Sequence, residues 1–385
     1  LLTNAPSPYQ LELFASIHRL GTIDLQVRFM RIVSATARSA ALNSGIKYRE
    51  LWGAAPRHFR DEFRPHPRAI WEAAFGRFDC FILSGIYTSV TFLICAAILT
   101  LRGKPWAVWL ERPHTDKYQV RWGHGRIRTP LLQTVKRRSL RFVLRRATCV
   151  IGMGSVALRE YRDLGVAGDR LTLLPYCCDV KRFAHVADEQ IARVHNRYRL
   201  AGKTVFLFSG QMIERKGVSV LLRAFERVAK RHANVALLLL GDGPAKGDHE
   251  RSLTRKVRDR VHFAGFLGQQ ELPAHFAAAD VFVFPSRHDG WGVVLNEACA
   301  SRLPIIASRQ TGAAFDLVED NGNGFLLDCE DVEGFAAKMQ FFVEHFDRIK
   351  PFGQRSWELV QPFSSAQGAK RFRECVVKTI GTGGH

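Results

Sequence analysis

Six short apolar runs, each followed by a helix-forming stretch, leave the second half of this chain few folds to choose from. The runs are 204–208, 234–240, 261–264, 280–284, 304–307 and 324–327. They are short for helices and apolar on consecutive residues, as strands buried on both faces should be. Between the first two, Val218, Leu221, Leu222, Phe225, Val228 and Ala229 recur at helical spacing and mark one face of a helix over 218–229. Helical stretches are also expected over 245–258, 271–279, 291–302, 311–319 and 331–346. Strand and helix in alternation define a parallel sheet covered on both faces. Such sheets bind ligands at the carboxyl ends of their strands, so the chemistry belongs in the loops after each run.

The first half repeats the theme less cleanly. Leu1-Leu2-Thr3 reads as the tail of a first strand, not as a signal peptide, and a helix follows over 8–20. Strands are expected over 23–29, 78–83, 106–110, 148–151 and 171–174, with helices over 88–101, 130–146 and 155–163. Residues 40–77, rich in Arg, Pro and Trp, are expected to be irregular. A chain of 385 residues suggests two domains, and the halves meet near 176–203. The 22 uncharged residues from Cys80 to Leu101 are long enough to span a bilayer. The polar break Ser84–Ser89 and the stop Arg102-Gly103-Lys104-Pro105 favour a buried strand followed by a buried helix. The eight cysteines lack CxxC spacing and read as small buried hydrophobes of a reducing compartment, with no metal-ligand cluster.

The formal charge of +20 implies an anionic partner without choosing one. Thirteen Lys/Arg against two acids fall within 101–150. In 126–146, Leu131, Leu132, Val135, Phe142 and Val143 form an apolar stripe, with Leu140 and Leu144 widening it to one side and cations over the rest. That composition suits both an interfacial helix on an anionic membrane and a core-packed helix with a basic face, and the two are compatible. Nucleic-acid binding would rest on charge alone, since no such motif is present.

Three loops carry the chemical signals. After run 204–208 comes Ser209-Gly210-Gln211-Met212-Ile213-Glu214-Arg215-Lys216-Gly217, in which adjacent cations precede a helix N-terminus, an arrangement that suits both a receptor for a diphosphate and a solvated basic turn. After 234–240 comes Gly241-Asp242-Gly243-Pro244, whose glycines also suit a turn with no ligand, and after 261–264 come Gly265 and Phe266, which suit a backbone contact to a base and a plain turn alike. After 280–284 comes Pro285-Ser286-Arg287-His288-Asp289-Gly290-Trp291-Gly292-Val293-Val294, with Glu297 on the following helix. If the intervening chain is mostly helical, Asp289 and Glu297 lie roughly 12 Å apart along the axis. That is too far for shared acid–base work on one bond and suits a grip on the two ends of a nucleotide sugar.

These motifs resemble those of retaining glycosyltransferases with the GT-B fold, of the family 4 type. The likeness rests on GQMIERKG, GDGP and DGWGVVLNE in that order, on Thr3–Phe14, and on 161–183. The resemblance implies two Rossmann-like domains, 1–180 for the acceptor and 181–360 for the donor, facing each other across a cleft. It also implies a last helix within 361–385 that crosses back to the first domain. It implies sugar transfer with retention from a nucleoside diphosphate donor, without metal or other cofactor. Gly210, Arg215, Lys216, Gly241, Gly243, Phe266 and Asp289 through Val294 would bind the donor, with Asp289 on the sugar and Glu297 on the ribose. His114 or Glu111 would act on the catalytic side, and Pro8, Tyr9, Ser84, Gly85 and Tyr87 would face the acceptor. The acceptor would be a lipid-linked or cell-surface glycan precursor of polysaccharide biosynthesis, met in the cytoplasm or at the inner face of its membrane. Three residues depart from the family pattern: Gln211 replaces an Arg, Asp289 a Glu, and Arg302 a Gly.

Two other readings remain open at this level. A nucleotide-sugar epimerase could use the same loops but needs an acid–base pair that is not legible. A non-catalytic sugar-nucleotide or nucleic-acid binder would leave the Asp289–Glu297 spacing unexplained.

Overall fold

The computed structural model describes residues 1–31, 44–51, 53, 64–112 and 130–381, for 130–133 the backbone alone. Among these, residues up to Cys177 and from Ser365 onward form one unit, and Cys178–Ser364 form the other. The first unit is built on β1 (Leu2–Thr3), β2 (Gln26–Phe29), β3 (Lys47–Glu50), β4 (Phe81–Ser84), β5 (Trp106–Leu110), β6 (Cys149–Gly152) and β7 (Leu171–Leu173). They pair in parallel in the order β3-β2-β1-β4-β5-β6-β7. Successive side chains point to opposite faces. Leu83, Trp106, Val108 and Val150 therefore pack under helices Pro67–Phe75, Val90–Leu101 and Pro130–Arg146. Ile82, Ala107, Trp109 and Ile151 pack under Pro8–Leu20 and Ser365–Gly381.

The second unit holds β8 (Thr204–Ser209), β9 (Val235–Leu240), β10 (Val261–Gly265), β11 (Val281–Phe284), β12 (Ile305–Ser308) and β13 (Gly324–Leu327). Their order is β10-β9-β8-β11-β12-β13, again parallel. The central strands β8, β9, β11 and β12 are buried along almost their whole length, which is why their sequences are continuous apolar runs. Phe208 and Phe284 stack at 5.9 Å across β8 and β11, and Phe282 stacks on Phe276 of the helix Leu272–Ala277 at 5.7 Å. Each unit is thus a doubly wound α/β layer of the Rossmann type.

Several expectations need correction. The stretch 40–77, expected to be irregular, contains β3 and the helix Pro67–Phe75. The helix expected over 245–258 is two short ones, Lys246–Ser252 and Arg255–Arg258, and the strand expected over 23–29 begins only at Gln26. The connector after Tyr176 contains the helices Val180–Ala184 and Asp188–Tyr198. The uncharged run 80–101 divides into β4 and the helix Val90–Leu101, and among the described residues no helix is long and apolar enough to cross a membrane.

Arg302 shows why its position favours glycine. Its backbone is left-handed, φ 58°, which costs a residue with a side chain about 1 kcal/mol. Its guanidinium lies 4.4 Å from the Trp357 ring centroid, a cation–π contact that offsets part of the strain. Arg302→Ala, which keeps the strain and loses the contact, should therefore be less stable than Arg302→Gly by about 1 kcal/mol. Chemical denaturation of both variants checks this, and equal stability would remove the backbone argument.

Candidate functional site

In the second sheet the chain leaves β8 toward β9 and β10, then returns to the other side of β8 to lay down β11. The loops after β8 and β11 therefore diverge at their strands and flank a crevice, the place where open α/β sheets bind ligands. The two loops carrying the strongest sequence signals are the two that flank it.

They are stitched together by short contacts. Arg287 N–H donates to the Arg215 carbonyl at 2.8 Å, and the Ser286 hydroxyl donates to the same oxygen at 3.3 Å. Gly217, at φ 69°, ends the β8 loop, and a Cβ there would lie 2.0 Å from the Pro285 carbonyl oxygen. Only glycine allows both the left-handed turn and that approach. The helix Val218–Arg231 starts immediately afterwards, with no side chain capping its free N–H groups. The Gly241–Gly243 loop is tied to the β8 loop by Gly210 N–H to the Leu240 carbonyl, 2.9 Å, and by Met212 N–H to the Asp242 carbonyl, 2.9 Å. Beneath the β11 loop, the segment after β12 forms a bridge from Thr311 to Asp289, and Ala313 N–H donates to the Trp291 carbonyl at 2.7 Å.

This packing brings Arg215, Lys216 and Asp289 to one point. The Lys216 ammonium donates to the Asp289 carboxylate, and the Arg215 guanidinium is 3.7 Å from the same oxygen while donating to the His288 carbonyl. The ammonium also lies 5.2 Å from the Phe284 ring centroid, so both Lys216 and Asp289 are held largely out of solvent. Two cations thus converge on one carboxylate oxygen beside the crevice.

The Asp289–Glu297 spacing needs correction, because the intervening residues are not mostly helical. Asp289 lies in the loop, and the helix runs only over Val294–Ala300. Glu297 is 2% exposed, which excludes a solvated surface carboxylate. The Trp291 side chain is 1% exposed and donates from its indole N–H to the Asn296 side-chain oxygen at 2.9 Å. It supports the loop from below, so its contribution at the crevice is backbone. Gly290, Gly292, Val293 and Val294 carry the chain from Asp289 into that helix. Phe266, beyond β10, is 82% exposed.

One organising residue was missed at the sequence level. The buried Arg287 donates to the Glu214 carbonyl at 2.6 Å and pairs with Glu330, its second contact there being 3.3 Å. It thereby fixes the turn that aims Arg215 and Lys216, and the only hint was its place inside the β11 loop motif. Arg287→Ala should lower stability by about 2 kcal/mol, because the Glu214 carbonyl keeps only the Gly217 N–H as donor and the tie from the β11 loop to Glu330 is lost. Glu330→Gln should cost under about 1 kcal/mol, since Glu330 is half exposed. Equal losses in denaturant melts would contradict this division.

In the first unit, the strand order reverses between β1 and β4 in the same way. A Cβ on Gly85 would lie 2.4 Å from the Asn4 side-chain oxygen, so the loops after these strands touch. Ser84 is buried at the end of β4, Tyr87 packs against the core, Pro8 is exposed at the helix start, and Tyr9 is half-buried. Glu111, just past β5, is held twice: its carbonyl accepts from the Tyr161 hydroxyl and its carboxylate from the Tyr176 phenol. Burial first, then the Glu111 charge, push the Tyr176 phenol well above its ordinary range. His114 lies outside the described residues.

Two parallel-sheet Rossmann-like units define the GT-B class, and the chain's architecture is that of GT-B glycosyltransferase structures. Residues 203–345 match the family model described as glycosyl transferases group 1. HepE of Anabaena, solved with UDP, aligns over 97% of both chains with a TM-score of 0.76 at 17% identity. Sucrose-phosphate synthase of Thermosynechococcus elongatus aligns over 97% of both with a TM-score of 0.70 at 19% identity. Among curated proteins, a GDP-mannose-dependent alpha-(1-6)-phosphatidylinositol monomannoside mannosyltransferase of Mycolicibacterium smegmatis is 34% identical over 42% of this chain and 44% of its own. The lipopolysaccharide core biosynthesis glycosyltransferase LpsE of Rhizobium meliloti is 35% identical over 43% of this chain and 47% of its own. The chain thus spans about half the length of the curated relatives it matches.

Proposed function

We propose that the chain is a glycosyltransferase that moves a sugar, with retention at the anomeric carbon, from a nucleoside diphosphate donor to a glycan or lipid-linked acceptor. The observation that carries this reading is the convergence of Arg215 and Lys216 on Asp289 at the topological switch point of the second sheet. The pair of cations and the uncapped helix start after Gly217 receive the diphosphate. As the bond from the anomeric carbon to the phosphate oxygen breaks, its electrons stay with the phosphate, and stabilising that charge lowers the barrier. This electrostatic role needs no metal ion. Asp289 then accepts hydrogen bonds from the donor sugar, Glu297 from the ribose, and the backbone near Phe266 faces the base. Glu111 and His114 stand as the catalytic-side candidates of the first unit, and Pro8, Tyr9, Ser84, Gly85 and Tyr87 as its acceptor-side residues. The working place in this reading is the cytoplasm, in solution or at the inner face of its membrane. Relatives named for GDP-mannose and solved structures holding UDP or UDP-glucose make these the first donors to test.

Thermal unfolding with UDP, GDP, ADP and their sugars tests the reading. One diphosphate series should raise the midpoint, while the matching nucleoside should not. If none stabilises the protein, the donor-site assignment is lost. Sugar isomerised in the absence of acceptor would replace transfer by epimerisation.

A further inference from the structure

The helices Pro67–Phe75, Val90–Leu101 and Pro130–Arg146 form one layer on a single face of the first sheet, the first packing on the second and the second on the third. Their outer surfaces carry large apolar side chains in the open: Leu101 is 86% exposed, Phe75 66% and Trp71 50%, with Ile94, Val135 and Phe142 also uncovered. In the third helix the inward residues are Leu140, Val143 and Leu144, so Val135 and Phe142, expected in one stripe with Val143, face outward. Leu131 and Leu132 of that stripe fall where side chains are not described. Among these outward residues stand the exposed Arg138, Arg141, Arg145 and Arg146. Arg68 lies 4.8 Å over the Trp71 ring, and Arg102 follows Leu101. The acid carried by the three helices is Glu72, buried between Arg28 at 2.8 Å and Arg68 at 3.0 Å.

We propose that this three-helix face docks on an anionic lipid bilayer, with Trp71, Phe75 and Leu101 entering the headgroup boundary and the arginines meeting lipid phosphates. Exposed aromatics and aliphatics ringed by arginine are what an interfacial surface needs. Anionic lipid complements the charge, with each cation near the surface adding to the attraction. A second copy of this chain would bring like charges together. A nucleic acid would engage the arginines and leave the apolar side chains in water. The proposal gives the lipid-linked acceptor a physical setting but is read without donor or transfer, so either can fail alone.

Flotation of the full chain with vesicles about one-third phosphatidylglycerol, at low salt, tests it. The protein should float with these vesicles and stay behind with pure phosphatidylcholine. Arg138→Glu/Arg141→Glu/Arg145→Glu should cut partitioning at least about tenfold. Phe75→Ala/Leu101→Ala should cut it while heparin binding is unchanged and the melting curve is retained. Brominated lipid should quench the part of the fluorescence that Trp71→Phe removes. No flotation, equal flotation with neutral lipid, or full binding by the Phe75/Leu101 variant would overturn the proposal.

Discussion

Lys216→Ala is expected to cut transfer about a hundredfold or more while leaving the second unit folded. The magnitude follows from the proposed role: a positioned charge that meets the leaving group is worth several kcal/mol in the transition state. The fold survives because Asp289 keeps the Arg215 guanidinium 3.7 Å away and its backbone N–H keeps the Gln310 carbonyl at 3.1 Å. The donor-free arrangement adds a sharper expectation. Asp289 competes with phosphate for the same ammonium, so Asp289→Asn should bind free nucleoside diphosphate as tightly as the parent or more tightly, while transfer falls. Calorimetric titration of the diphosphate alongside initial rates separates the two effects. If Asp289→Asn loses diphosphate binding in parallel with transfer, Asp289 is acting on the phosphates and not on the sugar.

The second large effect is expected at Glu297. Glu297→Ala should abolish measurable transfer, and Glu297→Gln, which keeps the side-chain volume, should weaken binding of the free nucleoside diphosphate about tenfold to a hundredfold, the value of a hydrogen bond to a charged group. This outcome is opposite to that at Asp289, although both carboxylates belong to one motif. The reason is the proposed division of roles: Glu297 on the ribose would bind the nucleotide whether or not a sugar is attached. Melting curves of the Gln variant within a few degrees of the parent would show that the helix Val294–Ala300 is intact. Full activity in Glu297→Ala would refute the clamp.

The central strands were legible because parallel strands covered on both sides must be apolar at every position. β3, Lys47-Tyr48-Arg49-Glu50, gave no such signal: it is an edge strand whose side chains are mostly exposed. The helix Pro67–Phe75 was equally quiet, since it buries little beyond Ala69, Glu72 and Ala73 and leaves Trp71 and Phe75 outside. At the site, the glycine, cation and carboxylate types could be read from their loops one at a time. That Lys216 meets Asp289, 73 residues away, could not, because it depends on β11 being laid down beside β8. The same holds for Arg287, whose partners Glu214 and Glu330 come from two other loops.

The helix Ser365–Gly381 packs on Pro8–Leu20, puts Phe372 6.4 Å from Trp109, and sends the Lys378 ammonium to the Leu171 carbonyl at 2.8 Å. During synthesis this makes the order of completion the reverse of the order of emergence. The second unit, a single stretch from Cys178 to Ser364 among the described residues, has all its strands once that stretch leaves the ribosome. The first unit must wait, with the apolar side of Trp109 and Phe14 uncovered, for the helix Ser365–Gly381. A ribosome that stalls near residue 360 would therefore release a finished second unit joined to an open, adhesive first one, and chaperone demand should concentrate on the part made first.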